Sequence, residues 1–235
     1  YRYVKQGYTA AFSLTEFKGQ VLEFESHIDS KFRTSFFNKE LWLKYVEEAS
    51  QINESGWGLD KKQLENFPNR VILAYYKLIG FNTRDEYGWI CEYSATGAPP
   101  EKRRAILDLI KYGHRNLILR LLDHPNVQTK LYAADALIYL HMVGEVENVK
   151  INYKRNGKKI KSLNFIYKED YKLSTNTWKK IYKIQQANYD VITCGNMGSY
   201  KQYKSTTGKL LSMDSINDIY KNYNLIRIFG YGYLF

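Results

Sequence analysis

The fold class is decided by residues 121–137, which read LLDHPNVQTKLYAADAL. The segment before Pro125 has helical spacing, and this proline marks a tight turn because it cannot continue a preceding helix. A second helix is predicted over about 127–142, and its residues are small or apolar almost all round, so we expect it to be deeply packed. Working upstream, helices are predicted over about 115–122 and 101–112, the latter ending at Gly113.

The string from Leu121 to Leu137 resembles a HEAT or armadillo-type repeat. In that family a helix ends in a Leu-Leu-x-x-Pro turn, and a second helix rich in Ala and Leu packs antiparallel against the first, since small side chains allow close approach. The resemblance covers residues 101–144. It implies a protein-binding scaffold and not a reaction. Such repeats need several stacked copies for stability, and this chain offers about two.

The N-terminal part also shows helical patterns. Ser13 and Glu16 match a capping box, and an apolar stripe at steps of three and four follows, which predicts a core-facing helix over 13–28. The stripe consists of Leu14, Phe17, Val21, Phe24 and Ile28. Further helices are predicted over 39–52, after a cap at Asp60, and from Pro68 to a C-terminal Gly80.

After residue 147 the helical pattern is replaced by an alternation of apolar and polar residues. Asn156-Gly157 lies between two alternating segments, which predicts a β-hairpin because both residues tolerate positive φ. A helix over 175–188, a strand over 191–194, a turn over 195–198, a helix over 214–223 and an extended end over 225–235 follow. The predicted fold class is therefore mainly α with a smaller α+β C-terminal region, in which antiparallel helix pairs precede a β-hairpin and short helices.

The net charge of +11 is unevenly distributed. Residues 1–146 carry 19 basic and 18 acidic side chains, whereas residues 147–235 carry 16 basic and 6 acidic ones. A charge step of this kind indicates a functional or domain boundary, because like charges on one lobe create a field for anions. We predict a helical region over 1–146 and a basic α+β region over 147–235, packed on the first as one unit.

Basic and aromatic residues alternate in this C-terminal third, which holds 11 of the 22 tyrosines. Lysines neutralise phosphates and flat rings stack on bases, so the composition is typical of a single-strand binder. A lysine-rich solvated surface over half-buried tyrosines explains the same composition, and an acidic protein partner fits equally. The candidate binding residues are Lys158, Lys159, Lys161, Tyr200, Lys201, Tyr203 and Lys204.

Catalytic and metal motifs are absent from the sequence. The four histidines and two cysteines form no metal-ligand spacing, so no metal or other cofactor is predicted. Gly208-Lys209 lacks the upstream glycine of a phosphate-binding loop, and Cys194 lacks a histidine partner in the C-terminal third. Gly195 and Gly198 fit a plain turn better than an anion-binding loop.

Two buried free thiols are the favoured interpretation of Cys91 and Cys194, and a single bridge stays open. No apolar run is long enough to span a bilayer. The compartment stays open too, because a chain that starts at Tyr1 fits a cytoplasmic protein as well as an exported one whose signal peptide has been removed.

The sequence therefore favours a non-enzymatic binding module that engages a macromolecular partner, either a protein or an anionic macromolecule. Single-stranded nucleic acid bound by the basic lobe is the alternative, and a hydrolase of unrecognised type is the third.

Overall fold

The computed structural model describes residues 2–6, 10–28, 31–48, 56–80, 86–91, 99–145, 150–155, 158–164, 172–194 and 202–229. The chain divides into two compact units, one extending to Leu73 and the other formed by Ala74–Gly230. The boundary predicted between residues 146 and 147 lies within the second unit, and as a boundary of function it stays a prediction.

The first unit begins with a four-stranded antiparallel sheet in the order β1-β2-β3-β4. Its strands are β1 Arg2–Gln6, β2 Ala10–Phe17, β3 Gln20–Ile28 and β4 Lys31–Phe37. The predicted helix over 13–28 is therefore wrong. Lys18 and Gly19 both adopt positive φ, 51° and 74°, which is the conformation of a two-residue hairpin turn. Leu14 then faces Phe24 across the hairpin. The apolar residues that match helical spacing therefore belong to two antiparallel strands.

Helix α1, Lys39–Glu48, covers one face of this sheet. The Trp42 ring lies 5.6 Å from the Phe37 ring, and the Tyr45 ring lies 5.3 Å from the Phe17 ring, measured between centroids. Asn38 accepts a hydrogen bond from the Leu41 amide and so caps the helix. The start predicted at residue 39 is confirmed, and residues 49–52 of the predicted helix lie outside the described residues.

Two further predicted helices are confirmed. Helix α2, Lys61–Asn66, begins at a capping box in which Asp60 and Gln63 satisfy each other's backbone amides. Helix α3, Asn69–Ile79, follows Pro68 and ends at Gly80, whose φ is +125°. The division between the two units falls inside α3, after Leu73.

The core of the second unit consists of α4 Glu101–Lys111, α5 Arg115–Leu121 and α6 Val127–Glu145. Both α4 and α5 pack against α6. Helix α6 is buried along most of its length, as its apolar composition predicts, and it continues one residue past Gly144. Gly113, with φ +75°, separates α4 from α5.

The C-terminal part alternates strands and helices. Its elements are β5 Lys150–Arg155, β6 Lys158–Asn164, α7 Thr175–Ala187, β7 Asp190–Cys194, β8 Gln202–Thr206, α8 Thr207–Leu210 and α9 Met213–Phe229. The predicted hairpin is confirmed, since β5 and β6 pair antiparallel on either side of residues 156–157. The extended segment predicted over 225–235 is wrong up to Phe229, because α9 continues to that residue. Residues 230–235 and the predicted turn over 195–198 lie outside the described residues.

The predicted fold class, mainly α with a smaller α+β C-terminal region, is confirmed. Within the part of the chain that the structure describes, no helix is both long and apolar enough to cross a membrane.

Candidate functional site

Those predicted binding residues that the structure describes fall in two separate hairpins. Strand β6 carries Lys158, Lys159 and Lys161, whose backbones pair with Arg155, Lys154 and Tyr153 of β5. The side chains of this hairpin lie outside what the structure describes, as do Tyr200 and Lys201 entirely. The structure therefore describes the side-chain exposure of only two of the predicted residues, Tyr203 and Lys204.

Tyr203 and Lys204 lie on β8 and are both exposed, with 48% of the Tyr203 surface accessible. Lys204 stands opposite Ile192 of β7, which is itself 43% exposed. The Thr193 hydroxyl donates a hydrogen bond to the Tyr203 carbonyl at 3.2 Å, which ties the two strands together beyond their backbone pairing. This ribbon presents Tyr203, Lys204 and Ile192 to solvent, together with Asp190 at the start of β7.

Helix α7 carries a second basic surface. Lys179, Tyr182 and Lys183 are exposed on one side, with 59% of the Tyr182 surface accessible, and the helix contains no acidic residue. We call these three residues the α7 basic face. Lys180, beside them, pairs with Asp123 at 2.5 Å between Nζ and Oδ2. The signal for this face was the run Lys179-Lys180-Ile181-Tyr182-Lys183, which sequence reasoning used only for its helical pattern.

The opposite side of α7 fixes this face in place. Ile181 and Ile184 are buried, and the Trp178 ring packs edge-on against His141 of α6 at 5.3 Å between centroids. Ser174 caps the helix start by accepting from the Thr177 amide, and Asn188 ends it in the left-handed conformation at φ 48°. The lysines are therefore carried by a helix anchored at both ends and along its inner side.

A fully buried ion pair lies between α4 and α6. Arg103 Nη2 lies 2.6 Å from Asp135 Oδ2, and Nη1 lies 3.1 Å from Oδ1, so the pair is bidentate. Both side chains are 0% exposed. Sequence reasoning missed this pair because Arg103 and Asp135 are 32 positions apart, and no local pattern links the basic run of one to the Ala-rich helix of the other.

Two tyrosine hydroxyls and one carbonyl complete this network. Tyr223 donates to Asp135 Oδ1 at 2.5 Å and accepts from Arg103 Nη1 at 2.8 Å. Tyr87 donates to Asp135 Oδ2 at 2.8 Å, and the Arg103 Nε–H donates to the Gly88 carbonyl at 3.0 Å. Both carboxylate oxygens thus accept two hydrogen bonds each, which offsets the large cost of burying charge.

Aromatic rings surround the Arg103 guanidinium. Its central carbon lies 3.6 Å from the Trp89 ring centroid, 4.6 Å from that of Tyr132 and 5.0 Å from that of Tyr223. Ring faces attract cations, so this cage adds to the ion pair. We define the buried ionic centre as Arg103, Asp135, Tyr87, Tyr223 and Trp89.

The phenols of the buried ionic centre are held in their protonated form. Burial raises the pKa of Tyr87 and of Tyr223 well above the ordinary value, and the negative charge of Asp135 raises each further. A protonated phenol is what the network requires, since each hydroxyl donates to the carboxylate. Because Arg103 and Asp135 are excluded from solvent and each of their side-chain nitrogen and oxygen atoms is hydrogen bonded, the geometry indicates a structural role that joins α4, α6, α9 and residues 86–91.

Residues 86–91 are also tied to β7. Tyr87 forms a parallel bridge with Thr193, with backbone hydrogen bonds of 2.8 Å to the Ile192 carbonyl and 3.2 Å from the Cys194 amide. Cys91 and Cys194 form a disulfide with 5.4 Å between their Cα atoms. The favoured interpretation of two free thiols is therefore wrong. The two cysteines lie 103 residues apart in sequence, and the bridge between Tyr87 and Thr193 brings their backbones together.

Gly88 is required beside this disulfide. A Cβ atom at this position would lie 2.1 Å from Cys194 Sγ and 2.9 Å from Cys91 Sγ. The Glu86 carboxylate lies beside the disulfide. One of its oxygens and the two sulfur atoms all lie within 4.8 Å of one another. Among the described residues, these three form a group of potential metal ligands that no sequence spacing indicated.

The chain was compared with models of known families, with characterised proteins and with solved structures, and none of them matches.

Proposed function

We propose that the chain is a non-enzymatic binding module that engages an anionic macromolecule through the α7 basic face. The observation that carries the proposal is an acid-free helix with two exposed lysines one turn apart, Lys179 and Lys183, and an exposed tyrosine, Tyr182, three positions after Lys179. Exposed cations on a preformed surface attract polyanions without an ordering cost for the backbone.

The buried ionic centre supports a binding role over a catalytic one. Catalytic acids and bases must reach a substrate, whereas Arg103 and Asp135 are enclosed by aromatic rings and have no exposed surface. The resemblance of residues 101–144 to HEAT-type repeats implies a scaffold as well, and it stays a prediction. In this interpretation the buried ionic centre fixes the position of α6, and α6 in turn positions α7.

Single-stranded nucleic acid is the partner class that the α7 basic face favours. Tyr182 lies one turn from Lys179 and is 59% exposed, and base stacking on an aromatic ring adds to phosphate neutralisation. An acidic protein segment would use the lysines but would gain little from the ring. Tyr203 and Lys204 of β8 add an exposed ring and an exposed cation, on opposite faces of their strand.

The test is fluorescence anisotropy of a labelled, mixed-sequence single-stranded oligonucleotide at about 50 mM salt. The variant Lys179→Glu/Lys183→Glu should weaken binding at least about tenfold, because it reverses two phosphate contacts. The control Lys61→Glu/Lys62→Glu makes the same change in net charge on exposed lysines of α2. Equal weakening in both variants would contradict a localised site.

Tyr182→Ala separates the two partner classes. It should weaken oligonucleotide binding by about 1–3 kcal/mol, as expected for loss of one stacked base. It should leave competition by polyglutamate unchanged, since that polymer has no rings to stack. If Tyr182→Ala binds the oligonucleotide with the same affinity as the parent protein does, the ring does not stack on a base. An acidic protein segment is then the favoured partner class.

A further inference from the structure

Three potential metal ligands converge where residues 86–91 meet β7. They are a carboxylate oxygen of Glu86 and the sulfur atoms of Cys91 and Cys194, all within 4.8 Å of one another. Glu86 and Cys91 are buried, and Cys194 is half-buried. A carboxylate beside two sulfur atoms is a donor set that suits Zn²⁺.

The backbone around these ligands is fixed by contacts that do not involve the disulfide. The Tyr132 hydroxyl donates to the Glu86 carbonyl at 2.7 Å and accepts from the Gly88 amide at 3.1 Å. The Arg103 Nε–H donates a hydrogen bond to the Gly88 carbonyl. The Tyr87 backbone is hydrogen bonded to the β7 residues on both sides of Thr193. If the sulfur–sulfur bond breaks, these contacts remain to keep the three side chains close.

Gly88 provides the room that the sulfur atoms need. Both occupy space that a side chain at this position would fill, with distances of 2.1 and 2.9 Å to a Cβ atom there. A tetrahedral zinc ion with Zn–S bonds of about 2.3 Å and a Zn–O bond of about 2.0–2.2 Å separates its ligand atoms by about 3.5–3.8 Å. The three ligand atoms already lie within 4.8 Å of one another, a spacing close to that separation.

We infer that the reduced form of the chain binds Zn²⁺ through the Cys91 and Cys194 thiolates and the Glu86 carboxylate. The site has two states: in the oxidised state the sulfur atoms bond to each other, and in the reduced state they bond to the metal. Three protein ligands leave a fourth position of the tetrahedron for water.

The conversion balances with a dithiol as the reductant. The dithiol transfers two electrons and two protons to the Cys91–Cys194 bond, which opens to two thiols while the dithiol closes to its own disulfide. Binding of Zn²⁺ then replaces the two thiol protons, which are released to solvent.

The experiment uses the whole chain, reduced with a phosphine that is converted to its oxide, and then titrated with Co²⁺ as a spectroscopic substitute for Zn²⁺. We expect a sulfur-to-cobalt charge-transfer band, tetrahedral ligand-field bands that Zn²⁺ abolishes, and release of about two protons per Zn²⁺. The oxidised chain should show none of these signals. Far-ultraviolet circular dichroism records whether the helices persist on reduction.

Glu86→Gln should weaken cobalt binding at least about tenfold and preserve the charge-transfer band, because both thiolates remain. The control Glu65→Gln changes an exposed carboxylate of α2 and should have no effect. The inference is overturned if the reduced, helical chain shows no charge-transfer band, if Glu86→Gln leaves the affinity unchanged, or if reduction abolishes the helical signal.

Discussion

The Arg103 guanidinium and the Asp135 carboxylate form a bidentate ion pair, 2.6 Å between Nη2 and Oδ2, with no solvent contact on either side chain. Breaking such a pair leaves one uncompensated charge in the interior. We therefore predict that Arg103→Met lowers the free energy of unfolding by about 3–5 kcal/mol, measured by urea denaturation. The double variant Arg103→Met/Asp135→Leu should recover a large part of this loss, because it leaves no charge buried.

The surface pair between Lys180 and Asp123 serves as the control. Both of its side chains are about half exposed, so Lys180→Met should change the free energy of unfolding by about 0–1 kcal/mol. If Arg103→Met costs no more than Lys180→Met, the buried ionic centre does not hold the helices together.

Gly88→Ala should prevent the Cys91–Cys194 bond, because the added methyl group would occupy the position of Cys194 Sγ. Thiol titration in denaturant without reductant should then find two free thiols per chain, compared with none in the parent protein. Loss of the bridge should lower the free energy of unfolding by about 2–5 kcal/mol. Gly208→Ala, where the nearest atom is the Asn188 side-chain oxygen, should retain the bridge.

Alkaline pH should destabilise the second unit through its buried phenols. Burial raises the pKa of Tyr75 to about 12 and those of Tyr87 and Tyr223 well above 10. A group whose pKa is raised by folding contributes stability that is complete below its unfolded pKa and is lost as the pH rises through the folded value. The urea midpoint should therefore fall from pH 10 upwards.

Tyr75→Phe should make that decline shallower, because it removes one of the raised phenols, and Tyr182→Phe, at an exposed position, should not. Phenolate absorbance should show that part of the tyrosines ionise only on unfolding. Complete ionisation in the folded state near pH 10 would contradict the predicted burial.

Low pH should lower the stability of the protein through His114, which lies at the N-cap position of α5. Partial burial lowers the pKa of His114, so the folded state favours the neutral imidazole. The stability that this shift provides is present above the unfolded pKa and is lost as the pH falls through it towards the folded value. The free energy of unfolding of the parent protein should therefore fall below about pH 6.5 more steeply than that of His114→Gln. Parallel curves for the two proteins would contradict the shift.

Local patterns in the sequence were enough to predict most helices of the chain. Pro68 and Pro125 mark helix boundaries because proline restricts the backbone, and Gly80 and Gly113 mark them because glycine tolerates the positive φ at a helix end. The hairpin over β5 and β6 was predicted for the same reason, since Asn-Gly favours a tight turn. These features depend on residues near each other in sequence.

The sheet over β1–β4 was not predicted, because its apolar residues satisfy helical spacing by coincidence. Leu14 and Phe24 are ten positions apart and face each other only because Lys18 and Gly19 turn the chain. A lysine in the left-handed conformation has no sequence signal. The choice between helix and hairpin depends on pairing between strands, which spacing does not report.

The buried ionic centre and the disulfide could not be predicted from the sequence for a related reason. Arg103 lies 32 residues from Asp135 and 120 residues from Tyr223, and Cys91 lies 103 residues from Cys194. Each group is defined by contacts between distant elements. Of the predicted binding residues, Tyr203 and Lys204 are exposed as a binding role requires, and that role stays a prediction.

The central claim is that the α7 basic face binds a polyanion, and the salt dependence of binding tests it most directly. For single-stranded nucleic acid, the slope of log affinity against log salt is about −0.7 for each phosphate neutralised. The account predicts that Lys179→Gln/Lys183→Gln reduces the magnitude of that slope by about 1.4, whereas Lys61→Gln/Lys62→Gln leaves it unchanged. A slope unaffected by the α7 substitutions, or no binding at about 50 mM salt, would contradict it.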